Sequence, residues 1–395
     1  MPLLDPPSDD PLVATAVRLR ERFAVDAVER DEAGGRPVEQ VRLLKESGLL
    51  TATIPVAYGG LGATWLSVLR VVREFAKTDG SLAHLFGYHH LPIHLTAARA
   101  SAEQLQRLYG AAVRGQWLWS NSGNVMSPTS HAVRTTGDDG WIVTGFRPFS
   151  SGSHVADVIQ ITWDDPRGRR LSAVVEADRP GIVIEDDWDG IGQRQTGSGT
   201  VRFEGVRVDD DELLGDPDIP LSQFESLVTL LQQSVLLNVF VGSAQGALTE
   251  ARGYTTTKSR PWIHSGVDRH VDDPWIQRGY GELAIQVLAA GDLADQAARS
   301  LDAVYGAGRA LTAEQRGALA IEIATANLYA GQTGLAVSND IFEYMGARSA
   351  TATNGFDRFW RNVRTHSLHN PAEYKLRTVG HWYLTGEPPV PAPYR

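Results

Sequence analysis

The chain has 395 residues, of which 37 are basic and 47 acidic, for a formal charge of −10, and it contains no cysteine. At this length two or three subdomains are expected rather than one growing core. The acid excess, with no long Lys/Arg run, argues against nucleic acid and anionic membrane as partners, and the missing cysteines exclude disulfides, thiol catalysis and thiolate metal sites.

Residues 1–10 have no basic region followed by an apolar one, and no later stretch reads as apolar for long enough to span a bilayer, so a cytoplasmic protein is expected. Apolar residues recur at three- and four-residue spacing over residues 12–28, 39–47 and 65–76, and Ser101-Ala102-Glu103-Gln104 opens a further helix as a capping box. This predicts an N-terminal α-helical domain over residues 1–116. Short, β-rich, turn-bounded segments follow at residues 141–145, 158–163, 171–175, 181–184 and 201–203, predicting a middle antiparallel β domain over 117–216. Residues 119–124, Trp-Ser-Asn-Ser-Gly-Asn, read as a loop. Gly215-Asp216-Pro217-Asp218-Ile219-Pro220 reads as a linker. Long Ala- and Leu-rich helices fill the rest, one opened by Thr312-Ala313-Glu314-Gln315 and continuing towards Met345, so residues 217–395 are predicted to form a C-terminal four-helix bundle. The fold class is mainly α with a central β domain.

Near the end, residues 361–371 place His366 and His369 three positions apart, just before a helix start. Asn370 is a suitable N-cap, Pro371 suits the first helical position, and Glu373 stands where a capping-box acid would reach back. The positive end of that helix would favour a neutral imidazole and stabilise an anionic ligand atom nearby. If the preceding segment is helical, both histidines share one face. Several chemistries lack their patterns. Gly59-Gly60-Leu61-Gly62 does not have dinucleotide-fingerprint spacing, there is no P-loop or nucleophile elbow, and the histidine spacing is not that of HExxH, so no metal is expected. On the residues alone, ordinary structural roles stay open for these histidines, for Ser151 at a strand end, for Asn121 and Asn124 in a polar run, and for Tyr88 in a helix.

The order helix, small β domain, helix bundle resembles the acyl-CoA dehydrogenase superfamily. Ile54-Pro55-Val56-Ala57-Tyr58-Gly59-Gly60-Leu61-Gly62, Asp79-Gly80-Ser81, Gly145 through Phe149 to Ala156-Asp157, residues 192–200 and the strand 201–208 are similar to its motifs in the same order. The resemblance implies a bound flavin. The glutamate that such dehydrogenases use to take the proton α to a thioester falls on Asn370, and an amide cannot be that base. Residues 355–369, 79–89 and Arg260-Pro261-Trp262 instead resemble the two-component flavin-dependent monooxygenases, above all the dibenzothiophene monooxygenase branch.

That resemblance implies reduced FAD or FMN supplied by a separate flavin reductase, O2 as co-substrate, a C4a-hydroperoxyflavin, and a homotetramer or homodimer. It places His84, Tyr88, Asn121, Ser151, His366 and His369 around the flavin C4a and N5 edge. The histidines, Tyr88 and Ser151 take catalytic roles there, with Ser151 and Asn121 hydrogen-bonding N5 and neighbouring polar atoms. Arg260 and Arg348 are the candidates for the flavin phosphate, which a guanidinium meets through two hydrogen bonds, partly from a neighbouring subunit. Trp188 and Phe149 would flank the isoalloxazine, and Asn370 would meet substrate. The implied substrate is an electron-rich fused heteroaromatic, oxygenated at an indole- or carbazole-type carbon or a thiophene-type sulfur. Alternatives are an acyl-CoA dehydrogenase or oxidase with a relocated base, an amine N-oxygenase, and a flavin-binding relative without activity.

Overall fold

Side-chain caps set many helix starts. In the computed structural model, which describes residues 9–124, 126–127 and 129–392, six helices come first: α1 (Pro11–Phe23), α2 (Ala27–Ala33), α3 (Val38–Ser47), α4 (Trp65–Ala76), α5 (Gly80–Arg99) and α6 (Ala102–Gly115). Thr64, Asp79 and Ser101 cap α4, α5 and α6, each accepting from a free amide of the first turn, and Ser101 with Gln104 forms the expected capping box. Residues 12–28 are not one helix. The chain turns at residues 24–26, where Ala24 closes α1 and Asp26 precedes α2.

Strands β1 (Trp119–Ser122), β2 (Ser130–Arg134), β3 (Gly140–Arg147), β4 (Val158–Asp164), β5 (Arg170–Glu176), β6 (Ile182–Ile184) and β7 (Val201–Asp209) form one sheet, ordered β1-β4-β2-β3-β7-β6 with β5 on β4. Most pairings are antiparallel. The exceptions are β1 beside β4, with Trp119 opposite Val158, and a single parallel pair between β2 and β4. β1 replaces the expected loop: its Ser-Asn-Ser lacks apolar alternation and becomes a strand through this long-range partner. β2 was likewise absent from the expected set.

The remaining helices are α7 (Leu227–Thr257), α8 (Pro274–Tyr305), α9 (Ala313–Met345), α10 (Asp357–Ser367) and α11 (Ala372–Thr385). The Thr312–Gln315 capping box opens α9 as expected, and α9 ends at Met345. By length and hydropathy α7 alone among the described helices could cross a membrane, contrary to the expectation that no stretch would, but 83% of its most apolar window is buried inside the protein. Leu44, Phe75 and Phe86 of the first helices share one apolar core with Leu231 and Val239 of α7, Leu301 of α8, Ile323 of α9 and Val363 of α10. The sheet has its own core around Trp141, Val143, Ile161, Trp163 and Phe203. Where these two bodies meet, α5 and α10 are held against the loops that follow β3 and precede β7.

Candidate functional site

That junction is fixed by a polar network. Asp79 caps α5 through Oδ1 and takes the Arg30 guanidinium on Oδ2 at 2.5 Å, while Arg30 also donates to Gln195 Oε1 at 2.7 Å. The Gln193 amide donates to Asn362 Oδ1 at 2.6 Å, and the Gln195 amide to Ser81 Oγ at 3.3 Å. Gly192 lies so close to α10 that a Cβ would stand 2.2 Å from the Arg361 carbonyl oxygen, so only glycine lets this loop reach the helix. Arg361 in turn holds Asp31 at 2.5 Å and donates to the Ile191 carbonyl. One strap of chain, residues 191–198, thereby ties α2, α5 and α10 together.

The structure brings four of the expected residues into one stack and its mouth. His84 and Tyr88 are one turn apart on α5, with ring centroids 3.9 Å apart and planes 27° from parallel. On its other side His84 stacks on His366 of α10 at 4.5 Å and 29°. His84 is 3% and His366 8% exposed. Burial pushes His84 down to about 3, with the neighbouring His369 adding to the effect. His366 is held well below the ordinary range, first by burial and then by His84 and His369. Among the described residues neither ring nitrogen of His84 has a hydrogen-bond partner, nor does Nδ1 of His366. Three buried nitrogens without partners cost free energy that a bound ligand would recover. The rings stack face to face instead of converging, and no group of three His, Cys, Asp or Glu side chains that could hold a metal stands together among the described residues.

His369 lies beyond α10, its amide donating to the His366 carbonyl at 3.0 Å. It keeps a solvent-facing surface, yet the protein crowds the imidazole, and desolvation lowers its pKa; the Asn370 hydrogen bond opposes this and Lys375 adds to it. Nδ1 lies 2.7 Å from Asn370 Oδ1. An amide oxygen can only accept, so Nδ1 carries the proton and Nε2 is the basic atom of the neutral ring. Here the cap expected from the sequence is corrected: Pro371 occupies the N-cap of α11 with no side-chain cap bond, because the Asn370 oxygen is committed to His369. Asn370 is buried and orients the imidazole.

The β side supplies hydroxyls. Ser120 Oγ donates to the Ser151 carbonyl at 2.8 Å, and Ser122 Oγ meets Ser150 Oγ at 2.8 Å. Alternation along β1 turns Asn121 away from these two, onto the face it shares with Trp119, whose amide donates to His89 on α5. Gly152 comes within 3.1 Å of Leu85, measured from the position a Cβ would take, so the 150–152 turn abuts α5 beside His84. Ser151 Oγ contacts Ser198 Oγ at 2.7 Å, and Ser198 contacts Thr196. Phe149 is 63% exposed in a left-handed conformation (φ 58°), edge-on to Trp188 at 6.3 Å.

Arg260 and Arg348 stand apart from this cluster. Both are exposed, and the Ser259 hydroxyl donating to the Met345 carbonyl places them at the same end of the bundle. Gly87 of α5 meets α7 at Val235, whereas Arg260 follows the far end of that helix, which closes at Thr257. A cavity of about 590 Å³ lined by Arg20, Lys77, Gln245, Glu250, Arg252 and Tyr280 also lies away from the histidines.

Sequence reasoning singled out neither Thr196 and Ser198, which lie inside the motif-like run 192–200, nor Lys375. The Lys375 ammonium donates to Asn327 Oδ1, whose amide donates to the Gln233 carbonyl at 2.8 Å, and burial lowers the lysine to about 8. A polar residue at the inner face of an otherwise exposed helix was the available signal.

Comparison with known proteins agrees with this architecture. Residues 12–116 match the acyl-CoA dehydrogenase N-terminal domain, and residues 235–373 the acyl-CoA dehydrogenase C-terminal domain. A probable FMNH2-dependent monooxygenase from Pseudomonas putida is 41% identical, the alignment covering 100% of this chain and 99% of that protein. The methanesulfinate monooxygenase of Pseudomonas fluorescens superposes with a TM-score of 0.94 at 40% identity, over 98% of this chain and 100% of the other. The dibenzothiophene monooxygenase of Paenibacillus sp. A11-2, solved in complex with FMN and indole, gives 0.93 at 37% identity, over 97% and 99% of the two chains.

Proposed function

The chain belongs to the flavin-dependent monooxygenases of the acyl-CoA dehydrogenase family, with reduced flavin as its cofactor, and we propose that it oxygenates an electron-rich fused heteroaromatic at an indole- or carbazole-type carbon or a thiophene-type sulfur. Reduced FMN or FAD would arrive by diffusion from a separate reductase, in the cytoplasm, and a homotetramer or homodimer would bring Arg260 and Arg348 to a neighbour's flavin phosphate. When bound, reduced flavin supplies the electrons that convert O2 into a C4a-hydroperoxide, the oxygen donor.

The observation that carries this reading is the stack of His84 on His366, with three buried ring nitrogens that have no hydrogen-bond partner among the described residues. A planar polar ring bound against this stack would satisfy those nitrogens and displace water, the condition under which an oxygen donor survives until substrate reacts. His84 and His366 stay neutral throughout the physiological range, so they donate or accept hydrogen bonds without adding charge. His369 Nε2 can take a proton at the solvent edge and return it, the task general acid–base chemistry requires of such a group. Ser151 Oγ faces the position proposed for flavin N5. Phe149 and Trp188 offer aromatic surface for the ring.

A second reading, a small sulfinate-type anion in the same pocket, is favoured by one feature: Lys375 is a partly buried ammonium within coulombic reach of His369, hydrogen-bonded to an amide instead of an acid. Protein loaded anaerobically with reduced FMN, then mixed with ¹⁸O₂ and dibenzothiophene, indole or methanesulfinate, separates the readings. Labelled heteroaromatic product is the expected result. Turnover of methanesulfinate alone supports the anion reading, and desaturation of an acyl-CoA without label would sink both.

A further inference from the structure

We propose that Thr196 and Ser198 are positioning residues that fix Ser151 Oγ as a hydrogen-bond acceptor, so that the site selects reduced over oxidised flavin. This rests on the reading above, which puts Ser151 at flavin N5. The direction of the hydroxyl chain follows from proton counting. The Gln193 carbonyl oxygen already accepts from Trp188 Nε1 at 2.8 Å and from the Thr196 amide at 3.1 Å, and a carbonyl cannot donate. The Thr196 hydroxyl, 2.8 Å away, therefore spends its single proton on it. The 2.7 Å contact between Thr196 and Ser198 must then be closed by the Ser198 proton, and the 2.7 Å contact between Ser198 and Ser151 by the Ser151 proton. The protons run one way, from Ser151 to the Gln193 carbonyl, and only lone pairs remain at the Ser151 end.

Both loops are strapped so that this order cannot relax by a swing of the chain. The Ser150 amide donates to the Gly199 carbonyl at 3.0 Å, the Gly152 amide to the Thr196 carbonyl at 2.8 Å, and Ser120 Oγ holds the Ser151 carbonyl. Thr196 and Ser198, the two links between Ser151 and the Gln193 carbonyl, are both buried. Reduced isoalloxazine carries a hydrogen on N5, whereas oxidised N5 presents a lone pair. An acceptor at Ser151 bonds the first and opposes the second. An enzyme that receives reduced flavin by diffusion and must release it oxidised gains from that asymmetry.

The test measures binding, not turnover. Anaerobic titration of the full-length protein with reduced and with oxidised FMN gives the affinity ratio, and dye equilibration gives the two-electron midpoint potential of bound FMN. Wild type is expected to favour reduced FMN at least about tenfold, which places bound FMN about 30 mV above free FMN. Thr196→Val removes the terminal donor without touching Ser151 or Ser198, freeing the Ser151 proton to turn to oxidised N5; most of the preference and the potential shift should vanish. Ser198→Ala should do the same, and Thr196→Ser should restore the wild-type values. Equal affinity of wild type for both redox forms, or an unchanged ratio in Thr196→Val and Ser198→Ala, overturns the proposal while leaving the monooxygenase reading standing. Failure of wild type to bind either form overturns both.

Discussion

His84 and His89 sit on the same helix, both buried, both depressed by desolvation, and they meet opposite surroundings. His89 has both ring nitrogens engaged: Nε2 lies 2.6 Å from the Leu50 carbonyl, and Nδ1 accepts from the Trp119 amide at 2.9 Å. It bolts α5 to the segment after α3 and to the first strand. His84, one helical turn and a half away, has neither nitrogen engaged among the described residues and rests between two rings. Burial alone therefore says little about a histidine's role. What separates the two is whether the fold itself satisfies the ring, and the unsatisfied one is where we propose that a ligand binds.

Substitution of each histidine in turn separates the two roles. His84→Ala or His366→Ala should lower product formation by about 10² to 10³-fold, the usual scale for a lost hydrogen-bonding group at the reacting centre, with thermal stability little changed. His89→Ala should reverse the pattern. It leaves a buried carbonyl and a buried amide unpaired, at about 1–3 kcal/mol each, so the melting temperature should drop by several degrees while turnover per folded molecule stays near wild type. A His89→Ala protein that keeps its stability and loses its turnover would erase the distinction.

A smaller effect is expected at the mouth of the site. His369→Ala and Ser151→Ala should each raise the fraction of consumed O2 released as hydrogen peroxide several-fold, measured by peroxide assay beside product. Unchanged coupling in both would remove these residues from the oxygen chemistry.

The smallest effect is the one the two histidines share. Burial holds both below the ordinary histidine value of 6.5, at about 3 for His84 and about 4 for His89. As pH falls through 6.5 the unfolded chain takes up protons that the folded chain refuses, so stability is full above that pH and is lost on the way down to the folded values. Each group contributes at most about 1.4 kcal/mol per pH unit in that window. His84→Gln and His89→Gln should flatten the pH dependence of urea unfolding to similar extents between pH 6.5 and 4, and only the first should cost turnover. A slope left unchanged by either substitution would mean that the ring is already charged in the fold.

The two histidines also show what a sequence can and cannot reveal. Helix α4, the Ser101 and Thr312 capping boxes and the end of α9 at Met345 were readable because caps and apolar spacing are local signals. The strand β1 was not, because Trp-Ser-Asn-Ser becomes extended only through its parallel pairing with β4. His366 and His369 were visible as a pair, and resemblance to a family suggested His84. The stack itself joins residues 84 and 366 across most of the chain, and nothing local encodes it. The hydroxyl order from Ser151 to Thr196 was equally hidden, since it depends on a carbonyl turned inward at Gln193, whose φ of 56° no pattern announces. Asn370 had the right identity for a cap and a different task, which only the 2.7 Å contact to His369 reveals.

If the His84–His366 stack shelters a flavin-bound oxygen donor, as we propose, rapid mixing will reveal it. Protein loaded anaerobically with reduced FMN and mixed with O2, in the absence of substrate, should develop the near-ultraviolet absorbance of a C4a-adduct, and this should persist far longer in wild type than in His84→Ala. Direct return of oxidised flavin in a single step, at the rate of free FMN and alike in both proteins, would mean that no oxygen donor is sheltered at these histidines.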